Sequence, residues 1–267
     1  MTLNQNTAVG MNLPVSLPPV STVTLDHPWR WIAAGWQDFK AAPGISLAYG
    51  IIFLLASFLL SLLVVSIDMT FFIPALAAGF FLISPLLAMG LYDVSRALEL
   101  GDKPSVFGSL TAWQRTPYNL LAMGVILTLA FLIWMLLANM VFAIFYVGLT
   151  PDFNNALDVL FLSGDSPLFM AAGILSGSVI ALSVFCISVI SVPMIMDRNA
   201  DVMSAVITSV RCVLNNPKPL LLWAALIVMF VGLGLVTLFI GLVLFMPLVG
   251  HASWHAYRDL VQSSPSV

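Results

Sequence analysis

Charge is the scarcest feature of this chain. Asp, Glu, Lys and Arg make up 8% of its 267 residues, against 61% hydrophobic ones, and the mean hydropathy is +1.06. Soluble domains carry about a quarter charged residues, so this composition excludes one and specifies a polytopic membrane protein. The nine Lys and Arg residues are scattered and the net charge is −3, which excludes a basic nucleic-acid-binding face. There are two cysteines, Cys186 inside an apolar run and Cys212 beyond it. With no paired spacing they read as free thiols. The stretch Met1–Thr24 carries no charge at all and holds Pro14, Pro18 and Pro19. It lacks the basic start of a signal peptide and reads as a disordered N-terminal tail, 1–24.

Long apolar runs are abundant instead. Two spans are expected at about Ile45–Ile67 and Phe71–Leu91, a third at Tyr118–Val147 and a fourth at Leu168–Met196. The run from Leu220 to Tyr257 is too long for one crossing and long enough for two. Each pair follows a shorter amphipathic piece. The first, HPWRWIAAGWQDFKAAPG, repeats Trp29, Ile32, Trp36 and Phe39 at helical spacing; the second, SVFGSLTAWQRTP, sets Phe107, Leu110 and Trp113 on one side. In the third, Asp201, Ser204, Thr208, Arg211 and Asn215 form a polar stripe opposite Val206, Val210 and Val213. The fold class is therefore all-α, a polytopic membrane protein of six transmembrane helices as three hairpins, each preceded by an amphipathic interfacial helix. Pro43, Pro117 and Pro217 stand at matching places, as do Pro85, Pro193 and Pro247. This divides a six-span domain, 25–261, into three repeats, 29–101, 102–200 and 201–260, before a short tail, 262–267.

All nine Lys and Arg residues fall in segments that share one face, and the opposite loops have none. The positive-inside rule makes that face cytoplasmic, with both termini on the cytoplasmic side and the acidic Asp152–Asp165 loop outside. In that loop Phe153, Leu157, Leu160 and Phe161 suggest a short helix on the membrane. Trp29, Arg30, Trp31, Trp36, Lys40, Trp113, Arg115 and Arg211 combine aromatic and basic side chains, the pattern for contact with anionic lipids or a membrane partner. Gly173, Gly177 and Ala181, at i, i+4 and i+8, are the expected helix-packing stripe. Asp93 with Arg96, and Arg96 with Glu99, are spaced to pair within one helix. Asn139 is expected to hydrogen-bond between helices.

Little points to chemistry. His251 and His255 share a helical face and are the best metal candidates, but no Cys, Asp or Glu stands nearby at metal-motif spacing. A bis-histidine haem needs a histidine on another span, and His27 precedes the first. No cofactor, catalytic residue or bound metal is assigned, and the protein is not expected to be an enzyme.

The stretches SPLLAMGLYDVSRALELG, NPKPLLLWAALI and PLVGHASWHAYRDLV resemble the bacterial integral membrane family called domain of unknown function 2189, over roughly Trp29 to Val261. The resemblance implies a six-span inner-membrane protein without an established activity. A link with cytochrome c oxidase subunit I, a label some members carry, fails for want of intramembrane histidines. Two functions are expected on these grounds. One is a non-enzymatic scaffold or accessory subunit that associates with lipids or a larger membrane complex, such as a respiratory one. The alternative is a carrier or channel for a small apolar or lipid-like molecule, which would require a polar-lined lumen or an internal cavity.

Overall fold

The computed structural model describes residues 17–68, 73–145 and 167–262. The expected helix in the Asp152–Asp165 loop, most of the N-terminal tail and nearly all of the C-terminal tail lie outside those residues. Eleven α-helices occur among the described residues: α1 (His27–Ala41), α2 (Pro43–Ser66), α3 (Ile73–Leu87), α4 (Met89–Glu99), α5 (Val106–Leu110), α6 (Pro117–Phe145), α7 (Pro167–Ser188), α8 (Ser191–Arg198), α9 (Val202–Asn215), α10 (Pro217–Val236) and α11 (Leu242–Leu260). A 3-10 turn, Ala112–Arg115, follows α5.

Prolines set the helix starts. Pro43, Pro117 and Pro217 each occupy the first position of a long helix, where the missing N–H costs nothing. The residues before them, Ala42, Thr116 and Asn216, have nearly one backbone conformation, with φ/ψ of −130/56°, −139/53° and −131/54°. Each has left the helical region, as a residue preceding proline should. Two of the long apolar stretches are interrupted. Pro85 cannot serve the Phe81 carbonyl, and the Ser84 hydroxyl donates to it instead at 2.8 Å; the helix breaks three residues later at Ala88. At the α7–α8 junction Ser209 of α9 accepts from the Ile190 N–H at 3.2 Å and donates to the Cys186 carbonyl at 2.7 Å. A side chain has thus entered one i to i−4 link of the ladder, which accounts for the break.

Among the described residues five helical stretches are long and apolar enough to cross a bilayer: Pro43–Ser66, Leu76–Glu99, Pro117–Phe145, Pro167–Arg198 and Pro217–Val236. The sixth expected span, α11, is not among them, because its second half carries His251, His255, Arg258 and Asp259. That half is largely enclosed by protein. α11 is the central helix, packed on α1, α2, α4 and α10, and most of its side chains are buried. Its neighbours approach at glycines. A Cβ on Gly35 of α1 would lie 2.7 Å from the Ala252 nitrogen, and one on Gly50 of α2 would lie 2.2 Å from the Val243 carbonyl oxygen, the acceptor that Pro247 leaves without its helical donor. Trp31, Trp223, Trp254 and Tyr257 fill the space around this end of α11, with Trp31 edge-on to Trp223 at 5.7 Å.

Several expectations change in three dimensions. Among the described residues Gly173 and Gly177 do not mediate close packing: a Cβ on Gly173 meets nothing within 4 Å, and one on Gly177 meets only the Trp134 Nε1 at 3.8 Å. Ala181 is likewise exposed. Asn139 bonds its own helix, to the Met135 carbonyl at 2.8 Å. Part of the supposed tail is ordered, since Val20 pairs antiparallel with Val261, and Asn216 binds the Ser21 carbonyl at 2.9 Å and the Val23 N–H at 2.7 Å. α9 is rotated about its axis relative to its expected orientation, leaving Val206 and Val213 half-buried against the core. Ser204, Ala205, Thr208, Ser209 and Cys212 are buried, while Met203, Ile207 and Leu214 are exposed alongside Arg211. Small residues let this helix sit close to α7 and α8, which in a membrane protein outweighs hiding apolar ones.

Candidate functional site

Three features stand out from simple packing: a buried histidine, an ion-paired cluster at one end, and an apolar cleft. His251 is 0% exposed, and both ring nitrogens bind serines, Ser46 Oγ at 2.9 Å from Nε2 and Ser95 Oγ at 2.8 Å from Nδ1. Ser46 donates its proton to the Ala42 carbonyl at 3.0 Å, so a neutral ring donating from Nε2 and accepting at Nδ1 satisfies every group. Ser46 and Ser95 are themselves buried. The arrangement pins α2, α4 and α11 together.

His255, half-buried one turn further on, binds a different partner, the Asp38 carboxylate of α1 at 2.8 Å. The two histidines therefore serve separate contacts. Among the described residues no group of three or more His, Cys, Asp or Glu is placed to hold a metal.

The ionic cluster joins helix ends that are far apart in sequence. Asp197 receives Tyr257 Oη at 2.6 Å, Arg258 Nη1 at 3.3 Å and Arg96 Nε at 3.5 Å. Glu99 takes Arg258 Nη2 at 2.8 Å and Trp254 Nε1 at 2.9 Å. Asp93 pairs with Arg115, and Trp31 Nε1 donates to Asp259 at 2.7 Å. The local Asp93–Arg96 and Arg96–Glu99 pairs expected within α4 are replaced by these long-range ones, because each carboxylate points across a helix junction. Arg198 closes the cluster by donating to Tyr257 Oη at 2.8 Å and to the Val261 and Gln262 carbonyls.

This assembly divides the residues expected to meet lipid or a partner. Trp31 is 1% exposed and belongs to the core, whereas Trp29 is 55% exposed. Arg115 is neutralised by Asp93. Trp36 and Trp113 are exposed, and Arg30, Lys40 and Arg211 are exposed without an ion pair among the described residues.

The cleft is the feature the sequence did not disclose. It has a volume of about 760 Å³ and runs between α7 and α10, floored by α3, α4 and α11. Gly177 and Ala181 form part of one wall, Leu221, Ala225 and Val228 part of the other. On its lining the Ser84 and Ser253 hydroxyls are turned back to their own helices, to the Phe81 and Val249 carbonyls. The only advance signal was the small-residue stripe on α7, which reads equally as a packing seam.

A bundle of long apolar helices whose described charged residues, Asp68 apart, gather at one end defines a multi-pass integral membrane protein. The family model described as "Predicted integral membrane protein (DUF2189)" matches residues 72–197. The resemblance carried by SPLLAMGLYDVSRALELG is borne out over that stretch, which is narrower than Trp29 to Val261. No curated protein and no solved structure matches the chain.

Proposed function

We propose that the protein is a non-enzymatic scaffold or accessory subunit of the bacterial inner membrane, crossing it six times with the charged end and both termini in the cytoplasm. The observation that carries this reading is the placement of free volume. The centre, around the second half of α11, is tightly filled by Trp31, Trp223, Trp254 and Tyr257, whereas an apolar cleft of about 760 Å³ opens to one side, between α7 and α10. A carrier needs an internal route lined for its cargo; a scaffold needs a firm centre and an apolar outer surface. α11 completes the sixth crossing because its polar groups face protein partners, not lipid. The three leading segments, α1, α5 with its 3-10 turn, and α9, expose Trp29, Trp36, Phe107, Trp113, Met203 and Leu214. With Arg30, Lys40 and Arg211 they suit contact with anionic headgroups or with a larger membrane complex. The shared backbone at Ala42, Thr116 and Asn216 supports a threefold internal duplication as the origin of this arrangement.

Purification in mild detergent followed by mass spectrometry of bound proteins and lipids tests the reading. A membrane protein recovered in fixed ratio supports it. Saturable flux of a small apolar solute across proteoliposomes, with no co-purifying protein, would establish the carrier instead.

A further inference from the structure

We propose that the cleft between α7 and α10 binds one anionic phospholipid, its acyl chains between the two helices and its headgroup at Lys218. This rests on the reading of the chain as membrane-embedded and specifies a ligand for its outer surface. The space of about 760 Å³ is of small-molecule size. Its walls favour hydrocarbon: α7 contributes Gly177 and Ala181, and α10 contributes Leu221, Ala225 and Val228. The wall is open at Gly177, where a Cβ has only the Trp134 Nε1 within 4 Å among the described residues.

Charge identifies the occupant. Lys218 precedes Leu221, Ala225 and Val228 by three, seven and ten residues, so it shares their exposed face of α10, at the rim of the cleft and one turn beyond its apolar wall at the charged end. It is exposed and has no ion pair among the described residues. That sets it apart from Arg96, Arg115, Arg198 and Arg258, whose charges face carboxylates. A free cation at the polar end of an apolar cleft matches a phospholipid with net negative charge. A transmembrane helix of a protein partner would fill the cleft without using the lysine.

Native mass spectrometry of the full chain in mild detergent, titrated with phosphatidylglycerol or phosphatidylcholine, tests the site. One phosphatidylglycerol is expected to bind in preference to phosphatidylcholine. Lys218→Gln should weaken phosphatidylglycerol about fivefold. Lys103→Gln, which removes an equally exposed cation elsewhere at the charged end, should not. Ala225→Trp and Ala181→Trp fill the cleft from opposite walls at exposed positions, and both should abolish binding while the thermal midpoint stays at that of the parent. Equal binding of the two lipids, retention of phosphatidylglycerol in both tryptophan variants, or equal losses in the two lysine variants would overturn the site. A photo-crosslinker at position 225 that captures a protein in place of lipid would overturn it also. Failure of the scaffold reading shows separately, as solute flux with lipid binding intact.

Discussion

Replacing Gly50 by alanine is the sharpest test of the packing around α11. The new methyl would begin 2.2 Å from the Val243 oxygen, 2.6 Å from its Cα and 2.7 Å from its carbonyl carbon. All three are backbone atoms, so no rotamer change can relieve the clash, and α2 must move off α11 until the closest distance exceeds 3.0 Å. The shift strains the neighbouring Ser46–His251 hydrogen bond, which stands one turn away on α2 and spans 2.9 Å. It also removes the Gly50 Cα–H that faces the carbonyl freed by Pro247, a contact worth about 0.5–1 kcal/mol. With overpacking at about 1–3 kcal/mol, Gly50→Ala should lower the thermal midpoint in detergent by several degrees. Gly173→Ala is the control. Its Cβ meets nothing within 4 Å among the described residues, and helix propensity makes it neutral or stabilising by about 0.5–1 kcal/mol. Equal midpoints for Gly50→Ala and the parent, measured by fluorescence-detected unfolding, would refute the close approach of α2 to α11.

The remaining predictions concern the charged end and α9. Asp197→Asn removes the charge facing Arg96 and Arg258 and should cost about 1–3 kcal/mol in the same assay, whereas Lys103→Gln, with no ion pair among the described residues, should cost almost nothing. Asp201 caps α9, and its bonds from the Ser204 hydroxyl and Ser204 N–H hold the carboxyl below its ordinary value. The cap therefore stabilises at pH above the ordinary carboxylate range and is lost as pH falls through the lowered value. Asp201→Ala should cost about 1 kcal/mol at pH 7, and the gap from the parent should close in melts at progressively acid pH. Burial pushes the Cys212 thiol up to about 12, so it should resist maleimide at pH 7.5 and react only on unfolding, as read by intact mass. Reporter fusions after Asp68 and near Thr237 should mark the periplasm and those at Lys103, Asn199 and Val261 the cytoplasm; one firm reversal refutes six crossings.

Much of the architecture was legible because it depends on local properties. Hydropathy summed over about 20 residues located the five apolar spans, and prolines at 43, 117 and 217 marked where three of the helices begin. Scarcity of charge gave the class, and the distribution of the nine Lys and Arg residues marked one end. None of these readings requires knowing a neighbour.

Tertiary structure alone decided what each helix turns inward. From the sequence Trp31 and Trp29 are equivalent interfacial tryptophans, yet one is sealed against Asp259 and Trp223 while the other is exposed. His251 and His255 form a pair by spacing, but Ser46 and Ser95 take the first and Asp38 takes the second. The glycines that matter are Gly35 and Gly50, not the regular stripe on α7. Sequence patterns assign faces by contrasting apolar with polar, a contrast that water enforces. Within a bilayer the surroundings are as apolar as the core, so close fit and satisfied hydrogen bonds choose the buried face, and both depend on partners distant in the chain.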